Sequence, residues 1–199
     1  MCHGCHYSCW KSGNLKCPFC KANFETEDEI RIERLKKRGE ANDVNSMTRL
    51  GCFYADGSFG LRQDWNKAFE LWTRAAELGS SEAHYRIGAS YFDGEGVEKD
   101  MKKSIHHLEL AAMIGHESAR FDLGYMEYNS GNMERAIKHW MISASAGQKE
   151  SMASIQAEFE CGHVQSDVYE LTLNAHNHSC EEMRSKARED AAYFIEKMR

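Results

Sequence analysis

Proline is almost missing from this 199-residue chain, Pro18 being the single one. Proline removes an amide donor and clashes with the preceding helical turn. Its absence beyond residue 18 leaves helices uninterrupted and points to an all-helical body. Also missing is an apolar run of the ~20 residues that a membrane-spanning helix needs. The N-terminal residues are polar and cysteine-rich, unlike a secretory leader, so a cytoplasmic or nuclear location is expected. Positive charge is not in excess: 25 Lys and Arg face 31 Asp and Glu, a net charge of −6. That argues against a nucleic-acid partner, which a basic surface would announce. Neither a nucleophile elbow nor a phosphate-cradling loop occurs. "HESAR" begins like a zinc-protease helix, but Arg120 stands where the second histidine is required. "DGEGVEKD" resembles a calcium loop, but Ser104 replaces the closing glutamate. No catalytic residue is assigned, and the chain is not expected to be an enzyme on these grounds.

What is present is a repeat. "RLGCFYADG", "RIGASYFDGEGVEKD" and "DLGYMEYNSGN" align at Gly51, Gly88 and Gly124, which stand 37 and 36 residues apart. "KAFELWTRAAELG", "KSIHHLELAAMIG" and "RAIKHWMISASAG" follow them and end at Gly79, Gly115 and Gly147. Trp72, Leu108 and Trp140 each stand seven residues before that glycine. A period of this size means a solenoid of stacked helix pairs. Each unit reads as two helices, of which the first is short. The second is capped by Asp64, Asp100 or Asn132 and closed by a left-handed glycine. Small residues at Gly51, Ala75, Gly88, Ala111, Gly124 and Ala144 let helices approach closely. Leu71, Trp72, Leu108 and Trp140 then fill the gaps, and Trp65 is expected in the core with them.

The string A-x-x-x-L-G-x-x-Y-x-x-G, then G-V-x-x-D, then K-A-x-x-x-W-x-x-A-A-x-x-G resembles the Sel-one-like repeat, a cousin of the tetratricopeptide repeat. The second unit carries it best, through Gly94, Gly96, Val97 and Asp100. The resemblance implies an α-solenoid of antiparallel helix pairs that binds protein partners. Three units occupy residues 43–147. Residues 148–199 read as a degenerate repeat and a separate C-terminal capping helix that begins at a Ser179–Glu182 capping box. Residues 25–42 read as a connecting helix, started by a Thr26–Glu29 capping box and either docked or exposed.

Residues 1–24 hold two C-x-x-C pairs, Cys2 with Cys5 and Cys17 with Cys20. In a reducing compartment such pairs read as metal ligands before disulfides, and four thiolates suit tetrahedral zinc. "CPFC" followed by Lys21, preceded by "CHGCHYSC", resembles the middle and end of a RING-type finger. In that family two zinc sites interleave. The resemblance would send Cys2 and Cys5 to one site and Cys17 and Cys20 to the other, with partner pairs expected upstream of Met1. Three arrangements stay open: one zinc on all four cysteines, a metal-poor remnant, or a site completed by Cys9, His3 or His6. A RING-type finger joined to Sel-one-like repeats resembles proteins of diatom-like algae. It implies docking of a ubiquitin-conjugating enzyme, so a substrate-binding ubiquitin ligase is the alternative to a plain interaction scaffold. Tyr54, Arg86, Tyr91, Arg120 and Tyr128, on the first helices, are the expected groove residues for a protein partner. Cys161, His163, His176, His178 and Cys180 could meet as a further metal site, but surface histidines at helix ends are the favoured reading. Of His106 and His107, one should sit at the core edge and the other in solvent.

Overall fold

Helix follows helix through the described part of the chain, because nothing after Pro18 forbids it. The computed structural model describes residues 27–197, with side chains through residue 186. Cys2, Cys5, Cys17, Cys20 and Thr26 lie outside the described residues. The elements are α1 (Glu27–Glu40), α2 (Val44–Asp56), α3 (Trp65–Glu77), α4 (Ser81–Asp93), α5 (Met101–Met113), α6 (Glu117–Asn129), α7 (Met133–Ser145), α8 (Lys149–Glu160) and α9 (Ser166–Lys197). The three repeats are the pairs α2–α3, α4–α5 and α6–α7. Among the described residues no helix is long and apolar enough to cross a membrane. The chain divides into two compact units at Ser80 and Ser81, which is the border between the first and second repeats.

In the first unit, α1 packs on α2. Ile32 is buried, and Arg31 lies 4.8 Å from the Phe59 ring centroid. The connecting helix is therefore docked along one side, while most of its charged residues stay in solvent. Asp43 starts α2 by accepting from the Ser46 amide, and Asp64 starts α3 by accepting from the Lys67 amide. Trp72 is buried against Gly51, and its indole N–H donates to the Thr48 carbonyl at 3.1 Å. Burying a side chain of this kind contributes ~2–3 kcal/mol. Two expected core residues differ. Trp65 is only half-buried, set edge-on to Trp72 at 6.3 Å, because it occupies the first turn of α3 at the end of the helix pair. Leu71 is half-buried too, since it adjoins Trp72 in sequence and so points about 100° away from it.

In the second unit, Asp100 accepts from the Lys102 and Lys103 amides and starts α5. Asn132 does not cap α7 with its side chain. Its amide instead donates to Glu127 at 2.8 Å. His116 is a cap that was not foreseen: its Nδ1 accepts from the Ala119 amide at 3.2 Å. Gly115 and Gly147 both have φ of +100°, the left-handed closing geometry. Leu108, Ala111, Ala112, Ala119 and Leu123 form one core cluster, and Ala136, Trp140, Ala144, Met152 and Ile155 form the next. The first helix of each pair is not the shorter one, since both run to 13 residues. No break occurs at Ser179. α9 runs unbroken for 32 residues, because neither glycine nor proline interrupts it after Gly162. It is tied to α7 by His176, whose Nδ1 donates to the Ala144 carbonyl at 2.9 Å.

Candidate functional site

Helices α4 and α6 are the first helices of consecutive repeats, and α5 packs on both. Tyr85, Ala89 and Phe92 are spaced by four and three residues, so they form one stripe along α4. Asp93 ends that stripe. Phe121, Asp122, Tyr125 and Met126 face it from α6, and Leu108 of α5 lies beneath. Together these residues enclose a pocket of about 390 Å³. Its walls are mainly aromatic and aliphatic. Tyr125 is 51% exposed, a large ring left in water beside the pocket.

The polar groups divide into a satisfied set and an unmatched set. Glu82 accepts from Arg86 Nε at 2.7 Å and from His116 Nε2 at 2.9 Å. His116 must donate through Nε2, because its Nδ1 already accepts from the Ala119 amide. The His116 hydrogen bond, aided by the Arg86 charge, holds the Glu82 carboxyl down at about 2. The His116 ring stacks on Tyr85 at 4.5 Å. Asp122 stands beside the Tyr85 hydroxyl, and burial pushes both groups above their usual ranges. Tyr85 and the nearby His116 oppose that rise in Asp122, and the neighbouring Asp93 charge adds to it. Neither Asp93 nor Asp122 forms an ion pair among the described residues.

None of the groove residues expected from sequence lines this pocket, and four of them, Arg86, Tyr91, Arg120 and Tyr128, lie elsewhere on α4 and α6. Tyr54, in the first unit, is half-buried with Lys67 Nζ 5.3 Å from its ring centroid. Arg86 is exposed and bound to Glu82. Tyr91 stacks toward His107 of α5 at 6.1 Å. Arg120 Nη2 donates to the Ala112 carbonyl at the end of α5, at 2.9 Å. Tyr128 is 40% exposed and lies 5.5 Å from Trp140. Sequence reasoning missed Tyr85, Phe92, Asp93, Asp122 and Tyr125. The available signal was the four-and-three spacing on α4, which selects a face, whereas choosing by residue type selects Tyr91 and Arg86.

The histidines divide as expected, with His107 half-buried and His106 exposed. His107 Nδ1 lies 3.2 Å from His84 Nδ1, so one ring donates and the other accepts. Burial, with His84 and His106 nearby, lowers His107 to about 4. No group of three or more His, Cys, Asp or Glu among the described residues is placed to hold a metal ion. The C-terminal histidines and Cys180 have local partners, and Cys161 is exposed. His163 meets Glu158, His178 meets Glu182, and the Cys180 thiol points to His176 Nε2 at 3.6 Å.

Residues 44–80 and 81–116 each match the model of the Sel1 repeat. Residues 44–116 carry two Sel1 repeats. The first match is α2–α3 and the second is α4–α5, so the pocket opens from the second Sel1 repeat onto the helix pair that follows it. The chitin synthase regulator SKT5 of Saccharomyces cerevisiae is 30% identical over 155 residues, 74% of this chain and 22% of that protein. The ERAD-associated E3 ubiquitin-protein ligase component HRD3B of Arabidopsis thaliana is 28% identical over 120 residues, 60% of this chain and 18% of that one. The chain thus spans about a fifth of these relatives' length. A solved Sel1 repeat protein from Oxalobacter formigenes superposes with a TM-score of 0.66 at 23% identity, covering 76% of this chain and 64% of its own. That likeness shows the fold alone, an all-helical solenoid.

Proposed function

We propose that this Sel1-repeat chain is a protein-protein interaction scaffold or adaptor whose partner engages the pocket between α4 and α6. The observation that carries the reading is an apolar pocket of about 390 Å³ rimmed by an exposed tyrosine. Solvent-facing aromatic surface beside a concave site is the usual material of an interface core. Relatives with Sel1 repeats bear regulator and ligase-component names, which supports an adaptor role over an enzymatic one. Arg86 and Tyr128, both exposed on the two helices concerned, are proposed as flanking contacts. Tyr54, Tyr91 and Arg120 are engaged within the protein and would contribute less.

The test is a pull-down with the full chain and with Tyr125→Ala. A partner retained by the wild type and lost by the variant supports the reading, provided both melt alike. Equal retention places the binding surface elsewhere.

The reading extends to the N-terminal segment. Cys2, Cys5, Cys17 and Cys20 would hold one zinc, because four thiolates are the donor set of a closed structural site. The alternative reading, a substrate-binding RING-type ubiquitin ligase that docks a conjugating enzyme, draws on the same cysteine pairs and on the ligase-component name of one relative.

A further inference from the structure

We infer that the α4–α6 pocket receives a lysine or arginine side chain from a protein partner. This rests on the interaction-scaffold reading above and adds the chemistry of the guest. The pocket has two parts, and each asks for a different part of one side chain. Phe92, Leu108, Phe121 and Met126 provide an apolar passage. Lysine and arginine carry a three- or four-carbon stem that lies readily along such a surface. Asp93 and Asp122 place two carboxylates at the same pocket.

Charge complementarity selects the guest. The nearby donors and cations have other contacts: Arg86 and His116 hydrogen-bond to Glu82, and Lys99 Nζ lies 5.2 Å from the Phe92 ring centroid. Among the described residues neither pocket carboxylate has an ion-pair partner. Asp122 is partly desolvated, with the Tyr85 hydroxyl as a polar neighbour. A half-buried carboxylate in an apolar setting is under-satisfied, and a guest cation supplies the missing donors. An acidic guest would bring a third negative charge to the pair. A purely apolar guest would bury Asp122 further without replacing its lost water. Aromatic rings on the walls also favour a cation, which the π-face attracts.

The experiment pans the immobilised full chain against a random peptide display library and measures the winning peptides by fluorescence anisotropy. The variants are Asp122→Asn, Asp93→Asn and Tyr125→Ala. Asparagine preserves shape and keeps a side-chain carbonyl oxygen, so the two asparagine variants remove charge alone. Winners should carry lysine or arginine and bind Asp122→Asn about tenfold more weakly, the loss expected for one charge-assisted hydrogen bond. Added salt should weaken them as well. If Asp122→Asn fails to fold, the exposed Asp93→Asn carries the same test. Neutral or acidic winners, or winners indifferent to both asparagine variants, overturn the inference. If Tyr125→Ala still abolishes their binding, the pocket remains the docking surface and only the basic guest is wrong. Winners that ignore Tyr125→Ala, or the absence of any winner, overturn both readings together.

Discussion

A Cβ placed on Gly124 would stand 2.5 Å from the indole nitrogen of Trp140. Real Cβ contacts do not come that close, so the glycine is the seat in which the tryptophan lies. Gly51 seats Trp72 at the same 2.5 Å, whereas Gly88 would meet the smaller Leu108 at 3.0 Å. Gly124→Ala and Gly51→Ala are expected to destabilise by ~1–3 kcal/mol through overpacking, with Gly88→Ala costing less. Urea midpoints rank the three. Because the pairs touch, Gly124→Ala combined with Trp140→Leu should cost less than the sum of the single changes. Additive losses would show that the glycine acts through something other than the ring.

The two tryptophans differ in one hydrogen bond. Trp72 donates to Thr48, whereas the buried Trp140 Nε1 finds no acceptor among the described residues. Either residue changed to alanine should cost ~3–5 kcal/mol. Changed to phenylalanine they should separate, with Trp72→Phe worse by ~1 kcal/mol, the net value of a typical hydrogen bond. Equal chemical-denaturation midpoints for the two phenylalanine variants would contradict this.

Acid should loosen the second unit through the His84–His107 pair. His107 falls from 6.5 to about 4 on folding, first because of burial and then because of His84 and His106. The unfolded chain therefore binds more protons than the folded one between those values. Stability is full above pH 6.5 and declines as the pH drops toward about 4. His107→Gln should flatten that part of the stability profile. An unchanged slope in the variant would remove His107 from the account.

Helix α1 should stabilise the first repeat without being needed for its fold. Its removal uncovers Met47, which is fully buried, and abolishes the Arg31 contact with Phe59. The fragment 41–199 is expected to keep its helicity and melt cooperatively, but at a lower temperature than the full chain. Circular dichroism decides. Loss of cooperativity would make α1 part of the folding unit itself.

The purified 199-residue chain is expected to hold about one zinc, released by Cys17→Ser, as four thiolates require. Metal analysis near zero would mark the segment as a remnant, and near two would mean more ligands than these four. The same preparation should form no ubiquitin chains in vitro, because two C-x-x-C pairs make one closed site, not the two interleaved sites of a RING-type finger. Robust chain formation would favour the ligase reading.

The core was legible in the sequence because its grammar is steric. The Gly51–Trp72 and Gly124–Trp140 spacings, the aspartate caps and the closing glycines each express a local requirement that only a few residue types meet. The misses had other causes. Asn132 can cap a helix, yet Glu127 competes for its side chain. Ser179 and Glu182 satisfy a capping pattern, but a cap needs the chain to arrive from outside a helix, and here it arrives from within one. The pocket was hidden because Asp122 matters only through what α4 places opposite it. Repeat register aligns Asp122 with Arg86 and says nothing of Tyr85, its actual neighbour.

Leu108 carries a consequence beyond its own packing. It fills the position that tryptophan holds in the other two repeats, and it forms the floor of the pocket. The second repeat has thereby given up filled volume where its siblings kept it. A Leu108→Trp chain would bring all three repeats to one pattern, and the larger ring would grow into the space a guest needs. Regularity and open volume then compete at a single codon, and drift toward the tryptophan pattern would close the pocket while leaving the fold intact.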